Sequence, residues 1–122
     1  MAGEALVVGV ALRDRLAGVR IEELTADTFD GFVRVARVAF VDFWAAWCRP
    51  CRAMAPVIRS LAKEYADVAF AKVDTEAEKG LAERFRIRGI PTYVLFKKGR
   101  VVDRFSGVAT RNRLAQKIEK WR

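Results

Sequence analysis

The chain has no histidine, only two cysteines and only three prolines in 122 residues. Without histidine, Ser-His-Asp triads and imidazole general bases are excluded. With no third cysteine either, one chain cannot close a conventional Cys/His zinc site, so metal binding by the pair would need an interchain arrangement. Two cysteines do not make a disulfide-stapled scaffold, and a chain of this length can bury a core without one. No apolar run approaches the roughly 18 residues of a membrane span. Low-complexity tracts, internal repeats and linkers are absent too. Any chemistry here must run on sulfur, carboxylates or lysine.

What is present is 52% hydrophobic and 31% charged residues, the balance of one soluble globular domain. The 23 basic and 15 acidic residues leave a formal charge of +8, which suits acidic partners or nucleic acid. The basic residues are scattered over several elements and have no stacking platform, so a specific nucleic-acid function is not expected. Ala5 to Leu12, "ALVVGVAL", resembles a short signal h-region. Glu4 precedes it where basic residues would be needed, and no small-x-small cleavage pattern follows. Residues 1–18 are therefore read as an extension, an extra strand or loose segment, before a domain over 19–122.

Val19 to Leu24 is a plausible first strand. Thr25 can cap a following helix, with Leu24 and Phe29 at the positions of a hydrophobic staple. Val38 to Ala45 is apolar except for Asp42 and is rich in β-branched and aromatic residues, so it reads as a central strand. Met54, Val57, Ile58, Leu61 and Tyr65 form a helical stripe that Pro56 should kink. Val68 to Val73 is the next strand. Thr75-Glu76-Ala77-Glu78 fits a capping box opening a helix that packs Leu81 and Phe85. Thr92 to Phe96 and Val101 to Phe105 are strands joined through a Lys98-Gly99 turn. Leu114, Ile118 and Trp121 mark one face of a last helix. The order βαβαβαββα implies an α/β fold, a mixed sheet covered by helices on both faces.

The stretch "AAWCRPCR", Ala45 to Arg52, holds both cysteines between the central strand and a helix. A helix start offers unpaired N–H groups and the positive end of the dipole, and both favour a thiolate. Cys48, expected at the exposed lip of the turn, gains most; Cys51 is within reach, and Pro50 pre-sets the turn. Two cysteines so placed near a βαβ pattern read as a dithiol redox site. An interchain metal site and an inert structural disulfide are the alternatives, although so small a loop gains little by chain entropy. Asp42 shares a strand face with Phe40 and Trp44, where a carboxylate is expensive to bury. Either the strand is less buried than it looks and Asp42 pairs with a lysine, or Asp42 lies behind the cysteines with a raised pKa and exchanges protons with Cys51. Lys72, on the neighbouring strand, is the best candidate to influence it, or else a solvent charge. Pro91 in "RGIPT" either begins a strand or follows a cis Ile90–Pro91 bond that presents backbone groups beside Cys48. Trp44 reads as a core aromatic and Trp47 as a rim aromatic next to the nucleophile.

With "LTADTFDGFV", "VAFVDFWAAWCRPCRAMAPVIRSLAKEYADVAFAKVDT", "FRIRGIPTYVLFKKGRVVDRFSG" and the amphipathic C-terminal helix, the chain resembles the thioredoxin family over about Val19 to Trp121. The resemblance implies the thioredoxin fold. It also implies reduction of protein disulfides, with Cys48 as the attacking thiol, Cys51 as the buried resolving thiol, Asp42 as the buried carboxylate and Lys72 as the lysine near it. Pro91 would be the cis-proline facing the disulfide, and Gly107 would lie in the loop that helps form the substrate groove with Trp47, Arg49, Pro50 and Ile90. It implies no bound cofactor or metal, and a separate reductase, flavin-dependent and drawing on NADPH, to restore the dithiol. A monomer working in electron transfer and redox homeostasis of the cytoplasm is the expected setting.

Arg49 departs from the family, which has glycine there. Its cation should favour the Cys48 thiolate, and stabilising the reduced form raises the reduction potential. Solvent screening should keep the shift below about one pKa unit. With Arg52 one turn on, Arg49 should also favour acidic docking partners. A more oxidising, isomerase-like member and a non-catalytic binding module are the rival functions.

Overall fold

The computed structural model describes residues 18–122. The extra strand or loose segment expected over Ala5 to Leu12 lies outside the described residues. Five strands, β1 (Ile21–Glu23), β2 (Val38–Trp44), β3 (Ala69–Asp74), β4 (Thr92–Lys97) and β5 (Arg100–Ser106), form one sheet. Its order is β1-β3-β2-β4-β5. β3 runs parallel to β1 and β2, while β4 is antiparallel to both β2 and β5. Four helices complete the order expected from the sequence: α1 (Phe29–Val35), α2 (Arg49–Glu64), α3 (Lys79–Arg84) and α4 (Arg111–Trp121).

The central strand β2 needs apolar residues on both faces because helices cover both. Met54, Ile58 and Leu61 of α2 and Leu114 and Ile118 of α4 pack with Val38, Phe40, Tyr93 and Leu95 on one side. Phe29 and Val33 of α1 and Leu81 of α3 pack with Ala39, Val41, Phe43, Val94 and Phe96 on the other. Each large buried aliphatic side chain contributes roughly 1.5–3 kcal/mol through burial. Tyr65 Oη donates to Glu119 at 2.9 Å, and Trp121 Nε1 to Asp103 at 3.1 Å, which ties α4 to the end of α2 and to β5.

Local details differ from the expectations at two helix starts. Thr25 to Thr28 close a turn (Thr28 N–H to the Thr25 carbonyl, 3.1 Å), so α1 starts at Phe29, although Leu24 and Phe29 do share one core cluster. The capping box at Thr75 does not form either. Asp74 takes the amides of Glu76 and Ala77, Thr75 donates to the Trp44 carbonyl, and the Glu78 carboxylate accepts from Ala26 N–H. Tertiary partners outcompete the local cap. α2 continues through Pro56, whose missing N–H leaves the Arg52 carbonyl without its helical donor. Lys98 and Gly99 both take positive φ, as a tight two-residue hairpin turn requires.

Candidate functional site

β2 ends at Trp44, and α2 begins at Arg49, so the chain between them is delivered to the end of the sheet beside the centre of the fold. Cys48 is the N-cap of α2, with extended backbone, and its sulfur accepts the Cys51 N–H at 3.2 Å. Pro50 sits in the first turn, where a missing N–H costs nothing. The two cysteines are joined as a disulfide, with Cα atoms 5.3 Å apart. A helix start aimed at Cys48 Sγ supplies an N–H donor and positive potential to any thiolate that forms there.

Cys48 is not at an exposed lip. It is 3% exposed and Cys51 4%, and both pack with Ala45 against Trp44 and Ile90. The walls come from the 87–90 segment, which local reasoning about the turn could not supply. Cys48 lies in a groove of about 490 Å³ lined also by Trp47, Pro50, Ile87 and Ile90. Trp47, 66% exposed, is a rim aromatic as expected. Arg49 also lines the groove, whereas Arg52 donates to the Ala46 carbonyl at 2.8 Å.

The opposite wall is set by Ile90, which a cis peptide bond joins to Pro91; Pro91, expected in the groove, is not among its lining residues. The Ile90 carbonyl oxygen lies 3.8 Å from Cys48 Sγ. Three hydrogen bonds hold this loop: Thr92 Oγ1 donates to the Gly89 carbonyl at 2.6 Å, Thr92 and Ser106 hydroxyls meet at 2.9 Å, and Gly107 N–H donates to the Pro91 carbonyl at 2.8 Å. Gly107 makes that last contact at φ +96, where a side chain would be strained. Gly107 thus supports the groove through backbone and is not among the groove-lining residues.

Asp42 is buried. Burial pushes its carboxyl up to about 7, against the opposing pull of the Lys72 ammonium. Asp42 and Lys72 are register partners across β2 and β3, and Lys72 Nζ sits 4.8 Å from the Trp44 ring centroid. The strand is therefore as buried as it looks, and no ion pair between Asp42 and Lys72 forms within 4.0 Å. Asp42 Oδ1, Trp44 Nε1 and Tyr93 Oη are all buried and lack a hydrogen-bond partner among the described residues.

Tyr93 has no place in the sequence reading. It pairs directly with Asp42 across β2 and β4, and burial together with the Asp42 charge raises its phenol pKa. Strand alternation places the two side chains on one face once the register is known, and only the register was missing. Among the described residues no three of His, Cys, Asp and Glu gather as a metal site, and no helix is long and apolar enough to cross a membrane.

Known proteins share this arrangement. The family model described as thioredoxin matches residues 20–120. Thioredoxin 1 of Synechococcus elongatus is 43% identical over 71 residues, 57% of this chain and 66% of the relative. The chloroplastic thioredoxin Y2 of Arabidopsis thaliana is 37% identical over 70 residues, 57% of this chain and 42% of the relative. The chain thus spans about half the length of the curated relatives it matches. The solved thioredoxin of Plasmodium falciparum superposes with a TM-score of 0.78 at 33% identity, covering 84% of this chain and all of that one (100%). With a mixed five-stranded sheet, a cysteine pair at the start of α2 and a family match over nearly all the described residues, the chain belongs to the thioredoxin family.

Proposed function

We propose that the protein is a thiol–disulfide oxidoreductase that works as a reductant of protein disulfides. The observation that carries this reading is Cys48, whose Sγ accepts the Cys51 N–H at the start of α2 and which lines the groove. In the reduced protein the Cys48 thiolate attacks one sulfur of a substrate disulfide, forming a mixed disulfide and releasing the other sulfur as a thiolate. Asp42 takes the Cys51 proton, directly or through a relay; a carboxyl near 7 is matched to that transfer at neutral pH. The Cys51 thiolate then attacks Cys48 Sγ, and the second substrate sulfur leaves. Two electrons pass to the substrate, its two thiolates take up one proton from Asp42 and one from solvent, and the Cys48–Cys51 disulfide is the product state.

Lys72 holds a positive charge beside Asp42 and limits the rise of its pKa. Trp47, Pro50 and Ile90 shape the substrate groove, and Pro91 positions Ile90 from behind it, its carbonyl braced by Gly107. Trp44 supports the cysteine turn. A separate flavoprotein reductase drawing on NADPH returns the dithiol, the monomer itself holding no cofactor, and a reducing compartment such as the cytoplasm suits that cycle. Arg49 favours a more oxidising position within this chemistry, because its cation lines the same groove as Cys48.

The test is an NADPH-coupled protein-disulfide reduction assay with three proteins. The unaltered chain should turn over, Cys48→Ser should lose activity by more than about a thousandfold, and Cys51→Ser should accumulate mixed disulfides with substrate. Full activity of Cys48→Ser would refute the reading in favour of a binding module.

A further inference from the structure

Two depressions meet beside the disulfide. The first holds Cys48 over an apolar floor of Pro50, Ala82, Ile87 and Ile90, with Arg49 and Arg88 in its wall. The second shares Thr75, Ala82, Ile87 and Arg88 with the first and adds Lys79, Arg86 and Glu83. Together they form one groove that is apolar at the sulfur and cationic farther out. Arg49, Lys79, Arg86 and Arg88 stand against a single carboxylate, and none of the four takes part in an ion pair among the described residues. An unpaired cluster of like charges around a concave surface is electrostatically unfavourable unless an anion joins it.

Arg86 adds an independent observation. It follows the end of α3 at φ +53, the left-handed position where glycine or asparagine is favoured. An arginine there is strained, because its Cβ crowds the following carbonyl. The conformation is held by Ile87 N–H to the Ala82 carbonyl at 2.9 Å and by Arg104, whose guanidinium donates to the Phe85 and Arg86 carbonyls at 2.7 and 3.1 Å. Arg104 is thereby committed to backbone, while the Arg86 side chain lines the second depression.

We propose that this composite groove selects acidic protein segments: disulfides whose attacked cysteine lies in an extended stretch with an apolar neighbour and carboxylate side chains a few residues away. The inference rests on the reductase reading and names the substrate class of that same site. The apolar neighbour fills the floor at Ile87 and Ile90 while Cys48 engages the sulfur. The carboxylates reach Lys79, Arg86 and Arg88 in the outer depression. These cations are in contact with solvent, so the selection acts chiefly on association rate and weakens with salt.

Three disulfides test it with the reduced 122-residue protein: bis(2-hydroxyethyl) disulfide, and two peptides of sequence Cys-Leu followed by either Glu-Glu-Glu or Lys-Lys-Lys, each joined through cysteine to the same neutral fluorescent thiol. At low salt the acidic peptide should react roughly three- to tenfold faster than the basic one, and the ratio should fall below about twofold in 0.5 M salt. A Lys79→Glu/Arg86→Glu double variant should bring the acidic-to-basic ratio to one or below. Equal rates for the two peptides with the unaltered protein, or a ratio that survives either the salt or the folded double variant, overturn the preference alone. No reduction of any of the three disulfides overturns the reductase reading and the preference together. The salt series on the unaltered protein decides the question even where the double variant folds poorly.

Discussion

The two faces of β2 are chemically unlike, one fully buried and the other buried except for a half-buried Trp44 at its end. Ala39, Val41 and Phe43 point toward α1 and α3 into an apolar layer, where Phe43 and Phe85 rings lie 5.8 Å apart and Phe85 meets Phe96 edge-on. Val38, Phe40, Asp42 and Trp44 point the other way, beneath α2. There the packing includes a carboxyl, an indole N–H and, from β4, a phenol without partners among the described residues. One face is organised for stability alone. The other gives up stability by burying a titratable group, the Asp42 carboxyl, on the face covered by α2.

The largest effect expected is on the apolar face. Phe43→Ala should cost about 3–5 kcal/mol of unfolding free energy in urea titrations, because an aromatic with no exposure leaves a cavity. The Cys48/Cys51 potential should barely move. A changed potential would mean that the two faces are coupled.

Asp42→Asn should do the reverse. The folded pKa near 7 lies above the unfolded value of 3.8, so the unfolded chain loses its proton first as pH rises. Asp42 therefore contributes nothing against folding below about pH 4, an increasing penalty between pH 4 and 7, and its full penalty above 7. Asn should stabilise the oxidised protein at pH 8 by up to the order of 4 kcal/mol, less whatever its own buried amide costs, with the gain shrinking toward pH 4. Resolution of a mixed disulfide by Cys51 should slow in the same variant. A gain independent of pH would remove Asp42 ionisation as the source.

Arg49→Gly addresses the rim of the groove rather than either face. It should raise the Cys48 pKa by less than about one unit, read by thiolate absorbance, and lower the potential of the couple. A lower Cys48 pKa or a higher potential contradicts the assignment of Arg49. The smallest effect belongs to Tyr93→Phe. The hydroxyl makes no hydrogen bond among the described residues, so the change in stability should stay within about 1 kcal/mol. A larger loss would show that Tyr93 Oη is anchored within the polar face.

Much of this contrast was legible in one dimension. A lone carboxylate at Asp42 in an apolar strand stood out by composition, and alternation placed it with Phe40 and Trp44. Tyr93 stayed invisible because its pairing with Asp42 depends on the β2–β4 register, which single-strand periodicity does not contain. The buried position of Cys48 was missed for a similar reason. Its cover comes from Ile90, 42 residues away, and from a loop braced by Thr92, Ser106 and Gly107. The unformed capping box at Thr75 marks the opposite case. A local signal was present, but the Asp74 carbonyl takes the Glu78 N–H, the Trp44 carbonyl takes the Thr75 N–H and hydroxyl, and the distant Ala26 amide takes the Glu78 carboxylate.

The element order, the two-sided core, the cysteine pair at a helix start and the anomaly of Asp42 are all written in the order of residues along the chain. All of these follow from side-chain period and from hydrogen bonds within one turn. Only the tertiary structure decided how deeply Cys48 sits, which residue faces Asp42, and that Arg49, Arg88, Arg86 and Lys79 share one groove. Those properties come from strand register and from loops far apart in the chain, whose meeting is set by packing of the whole sheet.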